Sequence, residues 1–284
     1  MLNNNNKYKQ NGGQNSVNLQ GENVHYHGIT YSDAKEIAQD VFVKNFHELS
    51  AEAGEVAKQR ANEVLDDLMV KLEKIEDKVF ESFRDPDVQY QIYNVQKEYA
   101  RNGDKDLAEM LTDLLVARVK ESDRNLKQIL LNESISVLPK LNSTQVNILT
   151  WVFLCRRVHY NQADNLLKLQ KFLKQFYEPL PLEIEELQIN SNYLHLQYAG
   201  CGTVSLGEIS FEEVFHLSYP NLFQTKEEVI ETVGKLSHKV ADLANHWNTT
   251  SMKNFELTSV GITIAHSNIC RLTNINPDLD NWLN

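Results

Sequence analysis

YSDAKEIAQDVFVKNFHELSAEAGEVAKQRANEVLDDLMVKLEKIEDKVFESF, residues 31–83, is the stretch on which the architecture turns. It holds no proline and a single glycine, Gly54. Its apolar residues return in steps of three and four: Ala38, Phe42, Phe46, Leu49, Ala53, Val56, then Val64, Leu68, Leu72, Ile75, Val79 and Phe83. That is the period of one helix face packed along its length. A single helix of this size is on the order of 75 Å long at 1.5 Å per residue. It needs cover, from other helices or from another subunit. Ser50 and Gly54 are the expected places for a bend.

Upstream, residues 1–15 are rich in Asn, Gln and Gly and offer nothing to bury. Ser16–Gln20 and Asn23–His27 then alternate polar and apolar residues around a turn at Gly21-Glu22, which predicts a short β-hairpin. Two strands alone are marginal in water and leave open edges. The leader is therefore an expected assembly element. Val17, Leu19, Val24 and Tyr26, with Phe42, Phe46 and Leu49 on the adjoining helix, form the candidate oligomer interface.

Downstream, Asp85-Pro86 opens a helix through Val88, Ile92, Val95 and Tyr99, closed at Asn102-Gly103. Further helices follow: from Asp104 (Leu107, Leu111, Leu114, Leu115), from near Asp123 (Leu126, Ile129, Leu130, Ile135), from Ser143 or Thr144, and over Asp164–Phe176. Short connections predict antiparallel neighbours. After Pro181, Tyr193–Tyr198 and Thr203–Ile209 alternate about Gly200-Cys201-Gly202, predicting a second β-hairpin. Helices are expected over Ser210–Leu217 and Lys226–Trp247, and Thr258 reads as the cap of a last core helix. The expectation is a mainly α protein: a leader over 1–30, a helical bundle over 31–180 organised on the long helix, and a mixed, mostly helical part with a small β-hairpin over 181–284.

The 284 residues are 42% hydrophobic, enough for a sizeable core. A net charge of −11 and a pI near 5.3 make a general nucleic-acid binder a poor expectation, since phosphate binding needs a concentrated basic face. Three separated cysteines, Cys155, Cys201 and Cys270, fit reduced thiols in the cytoplasm. The N-terminus lacks the apolar core of a secretory signal, and the most apolar run, Ile148–Cys155, is too short to span a bilayer. No membrane association is expected.

Each candidate for chemistry has an ordinary structural reading. His25 and His27 share a strand face, but a metal site needs three or four ligands. Cys201, with His195 and His216 in range, lacks a visible activating base and reads as a packed turn cysteine. The acidic doublets Asp66-Asp67, Glu185-Glu186, Glu212-Glu213 and Glu227-Glu228 fall on predicted helices and read as solvated faces. Arg156-Arg157 with His159 and Tyr160 suit an anion site, or the C-terminus of a helix. Gly103–Asp106 is no phosphate loop, because GxxxxGK[ST] and a preceding strand are both missing. Thr144–Arg157 or Thr258–Arg271 permits a helix-turn-helix reading. The sequence thus points to no catalytic residue, metal or cofactor.

Several segments resemble one group of uncharacterised bacterial proteins: NSVNLQGENV (15–24), HGITYSDAKEIAQDVFVKNFHEL (27–49), YAGCGTVSLGEISFEEVF (198–215), ELTSVGITIAHSNI (256–269) and DLDNWL (278–283). The LTSVG element also resembles the ends of helical proteins linked to abortive infection. The resemblance implies a cytosolic bacterial protein from a phage-defence or conflict locus and carries no catalytic residue. The leading expectation is a non-enzymatic, oligomeric interaction protein of antiphage defence, with a protein partner from its own locus. The alternatives are a hydrolase or nuclease-type toxin using Cys201, His195 or the acidic doublets, and a helix-turn-helix regulator.

Overall fold

Residues 31–72 form two helices, α1 (Tyr31–Asn45) and α2 (Ala51–Leu72), rather than one. They come from a computed structural model that describes residues 29–45, 51–75 and 77–283. α2 runs back along α1: Lys35 pairs with Asp66 at 2.6 Å, and Gln39 donates to Asn62 at 3.2 Å. A 3₁₀ segment, Asp77–Arg84, replaces the third part of the expected helix. Its Phe80 meets Tyr31 edge-on, 6.2 Å between centroids. The correction has a simple cause. Period fixes which residues share a face, and two helices folded together keep that face as well as one long helix does. Ala34, Ala38 and Phe42 are consequently buried within the chain, Phe42 against Ala57, Ala61 and Ala100. The cover that the sequence asked of a partner at Phe42 comes from α2 and from the next helix, α3 (Pro86–Asn102). Val17, Leu19, Val24, Tyr26, Phe46 and Leu49 lie outside the described residues, as do the leader strands.

The bundle continues as expected, with caps doing the punctuation. Asp85 caps α3 through the N–H of Asp87, and Gly103 closes it in the left-handed conformation at φ 68°. Asp104 caps α4 (Lys105–Val119). Asn125, two residues after the expected Asp123, caps α5 (Leu126–Val137). Asn142, not Ser143 or Thr144, caps α6 (Ser143–Arg157), and Gln145 completes a reciprocal capping box. Both asparagines carry the oxygen that a cap requires.

α6 is the axis of the fold. Eleven of the twelve residues from Thr144 to Cys155 are buried, and Asn147 is half-buried. A helix buried on all sides must be surrounded, and α13 (Ser259–Thr273) covers one side of it. Asn268 of α13 donates to Thr150 of α6 at 2.9 Å in the interior, which fixes the register of the two helices. α13 also packs on α4 and α5, so residues on both sides of Pro181 share one core.

Beyond α7 (Leu166–Phe176) and the short α8 (Ile184–Leu187), two expectations are overturned. Tyr193–Tyr198 is not a strand but part of α9 (Asn190–Tyr198). Tyr193 and Leu196 are buried three apart, while Leu194 and Tyr198 are exposed four apart. These are helical spacings, which six residues of apparent alternation concealed. The local hairpin is replaced by a long-range pair: β1 (Gly202–Val204) runs antiparallel to β2 (Phe255–Leu257), with Gly202 opposite Leu257. After α10 (Phe211–Ser218), the long helix expected over Lys226–Trp247 is split into α11 (Glu227–Leu236) and α12 (His238–Thr249). Ser237 breaks it in an extended conformation, caps Val240 and donates to Glu178 at 2.6 Å. The protein is mainly α, as the sequence indicates.

Candidate functional site

The YAGCG (198–202) and LTSVG (257–261) segments, 55 residues apart in sequence at their nearest, meet in one backbone junction. Gly200, left-handed at φ 79°, ends α9 and turns the chain back. Thr258 then binds this turn twice: its N–H donates to the carbonyl of Cys201 at 3.1 Å, and its hydroxyl to that of Gly200 at 2.6 Å. The same hydroxyl caps Gly261 N–H. A Cβ on Gly261 would stand 2.0 Å from the Cys201 carbonyl oxygen, so only glycine lets the first turn of α13 lie on that strand. A Cβ on Gly202 would meet the Phe255 ring at 2.4 Å.

This junction decides what Cys201 can do. Its side chain is fully buried, and burial pushes the thiol up to about 12. A nucleophile needs the opposite shift. The ring of His195, the base considered for it, is engaged by Gln145 of α6, with Nδ1 and the amide nitrogen 3.0 Å apart.

From the junction the chain runs into a tight, braced loop. Ser205 N–H donates to the carbonyl of Asn254 at 2.8 Å, Asn254 returns a bond to the Ser205 carbonyl at 3.1 Å, and Ile209 N–H donates to Lys253 at 2.9 Å. The Ser205 hydroxyl closes the turn on Gly207. Held in this frame, Leu206 is fully exposed. On α9, Leu194 and Tyr198 are exposed by 54% and 86%. Gln197 ties that helix to β1 by accepting the Val204 N–H at 2.9 Å. Three large apolar side chains are thus displayed from a hydrogen-bonded frame. Sequence reasoning assigned all three to hairpin strands, and only the helical spacing of Leu194 and Tyr198 signals their exposure.

A second feature is a cleft of about 670 Å³ between α4, α5, α13 and the segment Asn274–Leu279. His266 and Cys270, one turn apart on α13, line it. His266 is buried, its Nε2 stands 2.8 Å from the Pro277 carbonyl, and burial lowers its pKa. Cys270 Sγ lies 3.7 Å from that Nε2, and burial pushes its thiol up to about 12. Asp113 pairs with Lys71 at 2.9 Å, yet burial outweighs the pairing and raises its pKa. Lys127 binds Glu121, Asp278 and Asp280 at 3.2 to 3.3 Å. The cleft's charges are largely matched in pairs, and its thiol stays protonated at neutral pH.

The remaining candidates have structural partners. Asp66 pairs with Lys35 and Asp67 with Lys71. Glu212 takes two bonds from Asn248, and Glu213 pairs with Lys226 at 2.9 Å. Glu228 accepts the Gln224 N–H, and Glu185 and Glu186 lie exposed on α8. Arg156 is spent on Glu256 of β2, on the Lys253 carbonyl at 2.7 Å, and on the Trp247 ring. The burial of α6, and of Gly261–His266 on α13, leaves neither helix a free recognition face of the kind a groove reader needs. Among the described residues no group of three or more His, Cys, Asp or Glu could hold a metal. His25 and His27 lie outside them. Among the same residues no helix is long and apolar enough to cross a membrane.

The model of an uncharacterised protein family matches residues 28–227 and 224–283, two stretches that meet just before and at the start of α11. No curated protein matches the chain, and no solved structure does.

Proposed function

We propose that this chain, which belongs to the uncharacterised family just described, is a non-enzymatic interaction protein. It self-associates through its leader, works in the bacterial cytoplasm, and serves antiphage defence together with a protein partner from its own locus. The observation that carries the reading is the display of Leu194, Tyr198 and Leu206 on a braced frame. Exposed large apolar side chains on a rigid support are the usual makings of a protein contact. The placement of the candidate catalytic groups supports the same reading: the buried Cys201 and half-buried Cys270 thiols are pushed up to about 12, and the acidic pairs mostly carry structural bonds. The defence role rests on the resemblance of the LTSVG ending alone.

Assembly belongs to the leader, with Val17, Leu19, Val24 and Tyr26, because α1 finds its cover inside the chain. Size-exclusion chromatography with light scattering tests this on the full chain and on a chain lacking residues 1–28. The full chain is expected to be a multimer and the truncated one a monomer; a monomer in both cases ends the assembly claim. Phage challenge of cells carrying the locus, with wild-type protein or Leu206→Glu/Tyr198→Ala, tests the rest. Protection that depends on the locus and falls with the variant is expected. Unchanged plaque counts with and without the gene would sink the defence role.

A further inference from the structure

The face that displays Leu194, Tyr198 and Leu206 lies within residues 175–225, a stretch with seven glutamates and no lysine or arginine. We propose that this face takes a basic amphipathic helix of a partner protein, its apolar stripe on Leu194, Tyr198 and Leu206 and its lysines or arginines on Glu185 and Glu186. The inference rests on the reading of this face as a protein contact and adds the chemistry of what it meets.

Shape points to a helix. Leu194 and Tyr198 stand four apart on α9 and form one exposed ridge. Such a ridge packs into the groove between the corresponding rows of a second helix. Leu206 extends the contact from the braced loop, and the exposed Ile184 and Ile189 extend it toward α8.

Charge selects which helix. Five of the seven glutamates are held: Glu178 by Ser237, Glu183 by Thr144, Glu208 by Lys253, Glu212 by Asn248 and Glu213 by Lys226. Glu185 and Glu186 are exposed and make no side-chain bond or ion pair among the described residues. Asn192 donates to the Glu186 carbonyl at 3.1 Å, which sets α8 and its free carboxylates against the start of α9. Apolar anchors are indifferent to charge, so these two carboxylates supply the preference. Lys253, beside the Leu206 loop, is neutralised by Glu208 at 3.0 Å. Lys140, whose charge reaches Cys201, is the cation that opposes the preference. A second copy set face to face would bring its own Glu185 and Glu186 against these, and nucleic-acid or lipid phosphates are repelled by them.

The test is calorimetric titration of the full-length protein with synthetic helical peptides of about 18 residues that share a leucine stripe and differ in the polar face: lysine, glutamine or glutamate. The lysine peptide is expected to bind saturably, one per chain, and to weaken as salt rises from about 0.05 to about 0.3 M. The glutamine peptide should bind about fivefold weaker, and the glutamate peptide should give no heat. Glu185→Gln/Glu186→Gln should weaken the lysine peptide about fivefold and leave the glutamine peptide unchanged. Glu52→Gln/Glu55→Gln removes the same charge from exposed positions of α2 and should change neither, which separates this face from the general pull of a protein of net charge −11 on a cation. Leu194→Ser/Leu206→Ser should weaken both peptides at least about tenfold with the Tm unchanged. Equal binding of the lysine and glutamine peptides, lost in Leu194→Ser/Leu206→Ser, overturns the basic partner and leaves the face as a protein contact. Lysine-peptide binding that survives Leu194→Ser/Leu206→Ser, or that falls as much with Glu52→Gln/Glu55→Gln, overturns the site. No saturable binding of any peptide overturns the proposal and the contact reading together.

Discussion

Replacing Gly261 by alanine adds one methyl group where the first turn of α13 lies on the Cys201 backbone. The new Cβ would sit 2.0 Å from the Cys201 carbonyl oxygen and 3.0 Å from its carbon. Neither atom belongs to a side chain that can swing away, so the turn and the strand must part. Overpacking of this kind costs about 1–3 kcal/mol, and a contact with backbone belongs at the top of that range. Separation also weakens the two bonds from Thr258 to Gly200 and Cys201, each worth about 1 kcal/mol. Against this stands a helix-propensity gain of up to about 1 kcal/mol. The net expectation is a loss of about 3 kcal/mol, or a fall in Tm of about 5 °C. Thermal unfolding followed by circular dichroism reads it directly. Two other helical glycines give the internal contrast. A Cβ on Gly54 of α2 meets nothing within 4 Å, and one on Gly234 of α11 meets only Ala241 Cβ at 3.7 Å. Gly54→Ala should therefore raise stability by about 0.5–1 kcal/mol, and Gly234→Ala should do much the same. A Gly261→Ala protein as stable as the Gly54→Ala protein would refute the close-approach account of LTSVG.

Other perturbations probe separate parts of the fold. Arg118 is fully buried and bonds Asp87 at 2.5 Å, Asn132 at 2.8 Å and the Glu121 carbonyl at 3.0 Å, joining α3, α4 and α5. Asp87→Ala leaves that guanidinium short of its counter-charge and should cost roughly 3 kcal/mol in urea unfolding, the low end for a broken buried pair because Asp87 is partly exposed; Arg118→Met together with Asp87→Ala should recover part of it. Burial pushes the Cys155, Cys201 and Cys270 thiols up to about 12. Their pKa is higher folded than unfolded, about 8.5, so their contribution is complete below pH 8.5 and is lost as pH rises toward 12. Native protein at pH 8 should react with a thiol reagent slowly, and all three thiols rapidly once unfolded; three fast native thiols would contradict the burial. Leu206→Glu should leave the Tm unchanged, since Leu206 touches solvent alone, while lowering partner capture by at least tenfold if the displayed face is an anchor.

The sequence by itself determined the class and most of the helices. Apolar period, with Asp85-Pro86, Gly103, Asp104 and Thr258 at the ends, suffices for α3, α4 and α13, because caps and periodicity are local properties of the chain. What it left undecided is wherever one local pattern serves two tertiary structures. Residues 31–72 keep one apolar face either as a single rod or as two antiparallel helices; burying Ala34, Ala38 and Phe42 against their own chain favours the second. Tyr193–Tyr198 alternates for six residues, too few to separate strand from helix, and is settled by which side chains α6 and β2 cover. The strand that does form pairs with Phe255–Leu257, a partner no local rule can locate. The frame under the displayed face and the cleft lined by His266 and Cys270 have the same origin. Each is assembled from segments far apart in the chain, so its geometry exists only once α13 has returned from the end of the sequence to pack on α4, α5 and α6.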